Sequence, residues 1–206
     1  MYGHQNENKK ALEAIERALK IFQEGAKKEP KRYLHYLAAA FNNLANIYES
    51  ENLYEKALEN YEKSLEIRRN LATENPFRYL RDVAETLNNV GLVHGKLGEF
   101  SIALSEYEEA RDIIEALYKQ TPKVYAPQLA VTLINLAHLF QKTSPERKTS
   151  LNYVERALEL ILPIIETAPY VQRFVQEIIG ILQMWDFSVQ EIEQLISEKM
   201  KGNAQD

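Results

Sequence analysis

Asparagine recurs along this chain at a fixed interval. Asn43, Asn89 and Asn135 are each 46 residues apart, and Asn42 and Asn88 precede the first two. Asparagine is a mediocre helix former, so a row of asparagines within helical sequence needs another reason. Its side chain offers one carbonyl acceptor and one amide donor, matching the two groups of a backbone peptide unit. Such a row suits holding an extended peptide without reading its side chains. The competing role is a bridge to neighbouring helices or loops.

Other chemistry has little material. His4, His35, His94 and His138 are too scattered for a local metal motif. There is no His-Glu-x-x-His, no glycine-rich phosphate loop and no nucleophile elbow. The absence of cysteine removes disulfides, zinc ribbons and thiolate catalysis. The carboxylates fall at helical spacing with lysines, as in Glu55, Lys56, Glu59, Lys63 and Glu66, which reads as a solvated face. No enzyme activity, cofactor or metal is expected. A net charge of -5 and a pI near 5.6 disfavour a nucleic-acid partner.

The residues between the asparagines define the elements that carry them. Of the 206 residues, 45% are hydrophobic and 27% charged, which suits one folded domain or a short repeat array. Pro30, Pro76 and Pro122 are 46 apart; so are Tyr33, Tyr79 and Tyr125, and Ala38, Ala84 and Ala130. Further columns are Ala11, Ala57 and Ala103, then Ala18, Ser64 and Ala110, with Tyr61 and Tyr107. Pro169 falls 47 after Pro122, so one insertion is placed in the turn at 143–146. Leu80, Val83, Leu87, Val90 and Val93 recur at helical steps, and Phe100, Ala103, Leu104, Tyr107, Ala110 and Ile114 form a second stripe. Each proline fits the first turn of a helix and stops the one before.

Nine helices are predicted, at 6–28, 31–50, 53–74, 77–96, 99–120, 123–142, 146–167, 170–184 and 189–200. Ser188 and Glu191 form a capping box for the last, and the polar tail from Lys201 is expected to fray. The most apolar run, Leu158–Ile165, contains Glu159 and Pro163 and is far short of the roughly 20 residues that span a bilayer. The polar N-terminus has no apolar core of a secretory signal. No membrane association and a cytoplasmic location are expected.

The columns resemble the tetratricopeptide repeat. The first unit offers Phe41, Leu44-Ala45, Tyr48, Tyr54, Ala57, Tyr61 and Ser64. The second offers Leu87, Val90-Gly91, Gly98, Phe100, Ala103, Tyr107 and Ala110, and the third Leu133, Leu136-Ala137, Phe140, Val154, Ala157 and Leu158. The likeness covers about residues 10–170. Its 46-residue period exceeds the usual period of about 34 and resembles the long-helix variants of kinesin light chains and many bacterial repeat proteins. His94 stands where the family has a tyrosine, and is expected to be a packed ring.

The resemblance implies an all-α fold, a right-handed superhelical solenoid of antiparallel helix pairs. One array is expected over 1–206, with a leading helix at 9–29, repeats at 30–75, 76–121 and 122–168, and degenerate C-terminal helices at 169–201. The end helices are either caps or the cut edges of a longer array. First helices of each pair would line a concave groove. That places Asn42, Asn43, Asn46, Asn88, Asn89, Leu92, Lys96, Ile134, Asn135, His138 and Lys142 at a peptide site, with Glu49, Glu85 and Gln141 nearby. The face is not a basic clamp for a terminal carboxylate, and Leu92 and Ile134 suit an apolar side chain. The implied function is a protein-interaction scaffold for an extended peptide or partner helix. The alternatives are a regulatory sensor segment of a larger signalling or proteolytic protein, and an array that self-associates through its terminal helices.

Overall fold

The computed structural model describes residues 2–143 and 146–202, with side chains described over 10–143 and 146–201. Among them the fold is all-α. The helices are α1 (Tyr2–Lys28), α2 (Pro30–Ser50), α3 (Tyr54–Glu74), α4 (Pro76–Leu97), α5 (Phe100–Gln120), α6 (Pro122–Thr143), α7 (Arg147–Ile161), α8 (Gln172–Met184) and α9 (Val189–Gly202). Three begin on the periodic prolines, whose missing N–H is one the first turn cannot pair in any case. Asn75 caps α4 by accepting from the Arg78 N–H at 3.2 Å. Gly98 ends α4 in the left-handed region at φ 81. Asn52 and Asp186 make the corresponding left-handed turns after α2 and α8, at φ 59 and 62, where their short polar side chains lower the cost.

The chain divides into two compact units, Met1–Glu99 and Phe100–Asp206. In the first unit, α1 packs on α2, α2 on α3 and α3 on α4. Leu19, Leu37, Ala40 and Leu44 form one core cluster, joined by Phe22 and Ile67. Ala45, Ala57, Tyr61, Val90 and Val93 form another. Ala45 and Ala57 are fully buried where α2 and α3 approach, so a larger side chain at either site would force the helices apart. The Ala18–Ser64–Ala110 column has a polar use at its centre: the Ser64 hydroxyl donates to the Ala38 carbonyl at 2.8 Å.

In the second unit, α5 packs on α6 and α6 on α7, around Ala103, Tyr107, Leu136 and Leu139. Ser150 repeats the serine device, donating to the Ala137 carbonyl at 2.9 Å. The Trp185 indole N–H donates in turn to the Ser150 hydroxyl at 3.0 Å. α8 covers α6 and α7 with Phe174, Ile178, Ile181 and Leu182. α9 buries Ile192 and anchors Lys199 to Glu155 and Glu159 of α7. Its capping box forms as expected, with the Ser188 N–H and hydroxyl both donating to Glu191 at 2.7 Å.

Two helix bounds differ from expectation by more than two residues. α1 starts at Tyr2 rather than residue 6. α7 ends at Ile161 rather than 167, and a 3₁₀ turn follows at Leu162–Ile164. Pro163 accounts for the stop, because it lacks the N–H for the carbonyl of Glu159 and its ring crowds that carbonyl. A second 3₁₀ turn, Pro169–Val171, leads into α8. Pro127, in contrast, lies inside an unbroken α6, close enough to its N-terminus that only one early backbone bond is lost. Lys201 and Gly202, expected to fray, continue α9; residues 144 and 145 of the turn expected to hold the insertion, and 203–206 of the tail, lie outside the described residues.

Candidate functional site

The asparagines of the first unit lie on two helices, α2 and α4, related by the 46-residue register. Their surroundings differ. Asn42 is 2% exposed, and its Oδ1 accepts from the side-chain amide of Asn89 at 3.5 Å. Asn43 is exposed. Asn46 is also exposed, and its Oδ1 accepts from the Tyr61 hydroxyl at 2.5 Å. Asn88 is half-buried, with its amide on the Ala84 carbonyl of its own helix at 3.1 Å. The adjacent positions Asn42 and Asn43 therefore fall on opposite sides of the boundary between core and surface.

Tyr61 fixes one of these amides. Burial, then the Glu49 and Glu85 carboxylates, push its hydroxyl far above the ordinary phenol range. A hydroxyl held protonated donates to Asn46, which takes up the Asn46 carbonyl and leaves the NH₂ for solvent or a ligand. Asn89 is fixed in the opposite sense. Its NH₂ is directed at Asn42, leaving its Oδ1 acceptor. The pair thus offers one donor and one acceptor, held by bonds from behind.

The rim is charged and apolar together. Lys96 forms an ion pair with Glu49, and its ammonium lies 5.7 Å from the Tyr54 ring centre. Leu92 is 41% exposed. Glu85 is exposed as well.

In the second unit, α6 carries the remaining expected residues. Asn135 and His138 are half-buried, as is Gln141, and Lys142 is exposed. Burial, followed by Lys142, holds His138 below the ordinary imidazole range. Ile134, expected at the groove, is 1% exposed and belongs to the core. It shares the column of Asn42, which also turns inward. His94 is half-buried with Nε2 3.6 Å from a Glu99 carboxylate oxygen. The half-buried Tyr33 ring lies against Gly25, where a Cβ would sit 2.6 Å from it.

Sequence spacing did not reveal the Tyr61–Asn46 bond, which closes across the α2–α3 turn. The signal was present only as a tyrosine column and an asparagine half a repeat away. Among the described residues no three His, Cys, Asp or Glu side chains gather to hold a metal ion. No described helix is long and apolar enough to cross a membrane.

Consecutive helix pairs, small residues at their contacts and a fixed register define a helical-repeat protein. The family model of the tetratricopeptide repeat matches residues 36–116. Repeats of this type generally mediate protein–protein interaction, and the fold is typically a non-enzymatic scaffold. The crystal structure of BtubC (BKLC) from P. vanneervenii is similar at a TM-score of 0.52, with 16% identity over 96% of this chain and 91% of that one. At that identity the likeness concerns the fold alone. A de novo designed helical repeat protein, DHR64, aligns over 95% of this chain and 99% of its own at 16% identity, with a TM-score of 0.33. No curated protein matches the sequence.

Proposed function

We propose that the α2–α4 face of the first unit binds an extended segment of a protein partner. The observation that carries this is the pair of fixed amides. Tyr61 holds the Asn46 carbonyl, and Asn42 takes the Asn89 amide hydrogen. What remains is a donor at Asn46 and an acceptor at Asn89, the complement of a peptide unit. Because both are held before a ligand arrives, little side-chain entropy is lost on binding. Asn43 adds an exposed amide, Leu92 an apolar contact, and the Lys96–Glu49 pair a charged edge. Asn135, His138 and Lys142 form a separate polar row on α6 of the second unit.

The test is Asn46→Asp. An aspartate still accepts from Tyr61, so the fold keeps its bond, but the outward donor becomes an acceptor. A partner captured from a lysate of the source organism with the wild-type chain, and its binding segment mapped by cross-linking, should bind the variant about tenfold more weakly. The helical melt should stay unchanged. A partner held equally by both proteins, or cross-linked only elsewhere, would sink the reading.

A further inference from the structure

The first unit is neutral, with fifteen basic and fifteen acidic residues in 1–99, while 100–206 carries ten basic and fifteen acidic. Its charges are nevertheless sorted end to end. The segments at the α1–α2 and α3–α4 turns, 24–35 and 66–82, contain eight basic and five acidic residues. The opposite end, 47–56 and 92–99, contains two basic and four acidic.

The basic groups lie where helix physics disfavours them. The first turns of α2 and α4 hold Lys31, Arg32 and Arg78, and neither turn contains an acidic residue. A helix N-terminus carries partial positive charge and favours anions. Arg32 is partly answered by Glu29, at 3.5 Å. Arg78 rests over the Tyr79 ring at 5.3 Å, and Arg81 follows one turn later, exposed. Their field reaches inward. After burial, Arg78 is the cause that lowers the pKa of His35, and Arg81 presses the same way on Arg68 against Glu85 and Asp82.

At this end of the unit is a cleft of about 500 Å³, lined by Lys31 and Arg32 and with Pro30, Leu34 and Leu71 as its apolar wall. Phe77, 74% exposed, stands next to Arg78 at the tip of α4. The shape and the charge call for different parts of one ligand, an apolar side chain for the cleft and negative charge for the arginines.

We infer that this turn edge of the first unit is a second docking surface, for an acidic peptide segment with an apolar anchor residue. The surface is distinct from the asparagine face of α2 and α4. A peptide suits it better than a uniformly anionic plane or a phosphate backbone, because Glu29 and Glu74 line the same cleft. A flat anionic ligand would meet those carboxylates, whereas a peptide can present its apolar residue there and its acidic residues to Arg78 and Arg81.

The probe is a short fluorescein-labelled peptide alternating glutamate and leucine, titrated against the full chain by anisotropy. Saturable binding is expected, weakening with added salt. The variant Lys31→Glu/Arg78→Glu should bind about tenfold more weakly, the change expected when rim charges are reversed. Its thermal melt should not fall, since the reversals suit the helix dipoles. Phe77→Ser tests the apolar part independently and should also weaken binding. Equal affinity of the charge-reversed variant, equal binding of a lysine–leucine peptide, or no saturable binding each overturns the proposal. So does capture by phosphatidylserine vesicles without peptide binding, which would assign the edge to a membrane surface.

Discussion

The side-chain amide of Asn89 on α4 points at the Oδ1 of Asn42 on α2, 3.5 Å away. This long hydrogen bond satisfies a carbonyl that is otherwise shut off from water, since Asn42 is 2% exposed. Asn43, the next residue, is exposed. Asn42→Ala should therefore destabilise the chain by about 1 kcal/mol, a typical loss for one buried hydrogen bond, whereas Asn43→Ala should change stability by less than about 0.5 kcal/mol. Urea midpoints of the two variants measure the difference. Equal costs would mean that the inward and outward assignments are wrong.

Two helical glycines should respond in opposite directions to alanine. A Cβ on Gly25 would lie 2.6 Å from the Tyr33 ring, while nothing lies within 4 Å of one on Gly95. Alanine gains about 1 kcal/mol of helix propensity over glycine. At Gly95 that gain is unopposed, so Gly95→Ala should raise the urea midpoint. At Gly25 the ring must shift, and overpacking costs about 1–3 kcal/mol, enough to cancel or reverse the gain. Gly25→Ala should therefore lower the midpoint, and Gly25→Ala combined with Tyr33→Leu should recover part of the loss.

The register of the fold was legible because it was written several times. Pro30, Pro76 and Pro122 mark helix starts by local backbone chemistry, and Ser188 with Glu191 forms a cap inside four residues. The site was less legible. On a helix, neighbouring residues differ by about 100°, so a pair such as Asn42-Asn43 at the edge of the buried stripe could be turned either way. Asparagine's amphipathic tolerance gives no hydropathy signal to decide it. Ile134 was placed at the groove by the same spacing, yet it lies in the core, as Asn42 does two repeats earlier. The Tyr61–Asn46 bond joins residues on two helices through a turn, and pattern alone carries no information about which polar atoms meet.

Stability should fall as the solution is acidified through the histidine range. Burial lowers the pKa of both His35 and His138 from 6.5, with Arg78 adding to the first and Lys142 to the second. Below that ordinary value the unfolded chain takes up protons that the folded chain resists. The unfolded state then binds more protons, so stability rises with pH across this window and drops on going down through it. His138→Gln should flatten the dependence. Urea midpoints of both proteins at about pH 7.5 and about pH 5 test it, and parallel slopes would show that His138 is not a source of the effect.

Arg68 separates the cost of lost volume from the cost of lost charge. Arg68 is 7% exposed, and its guanidinium donates 2.7 Å bonds to the Asp82 carbonyl and the Thr86 hydroxyl oxygen. Thr86 itself donates to the same Asp82 carbonyl at 3.0 Å, so that carbonyl keeps a partner when the arginine is removed. Burial works against the charge, and the nearby Glu85 and Asp82 support it. Arg68→Ala opens a cavity between α3 and α4 and should cost about 3 kcal/mol. Arg68→Met fills most of the space and removes a charge that is expensive to bury, so its cost should be below about 1 kcal/mol. Chemical denaturation of the two variants gives the comparison. If methionine is as damaging as alanine, the hydrogen bonds to Asp82 and Thr86, and not the packing of the side chain's stem, hold α3 to α4 at this point.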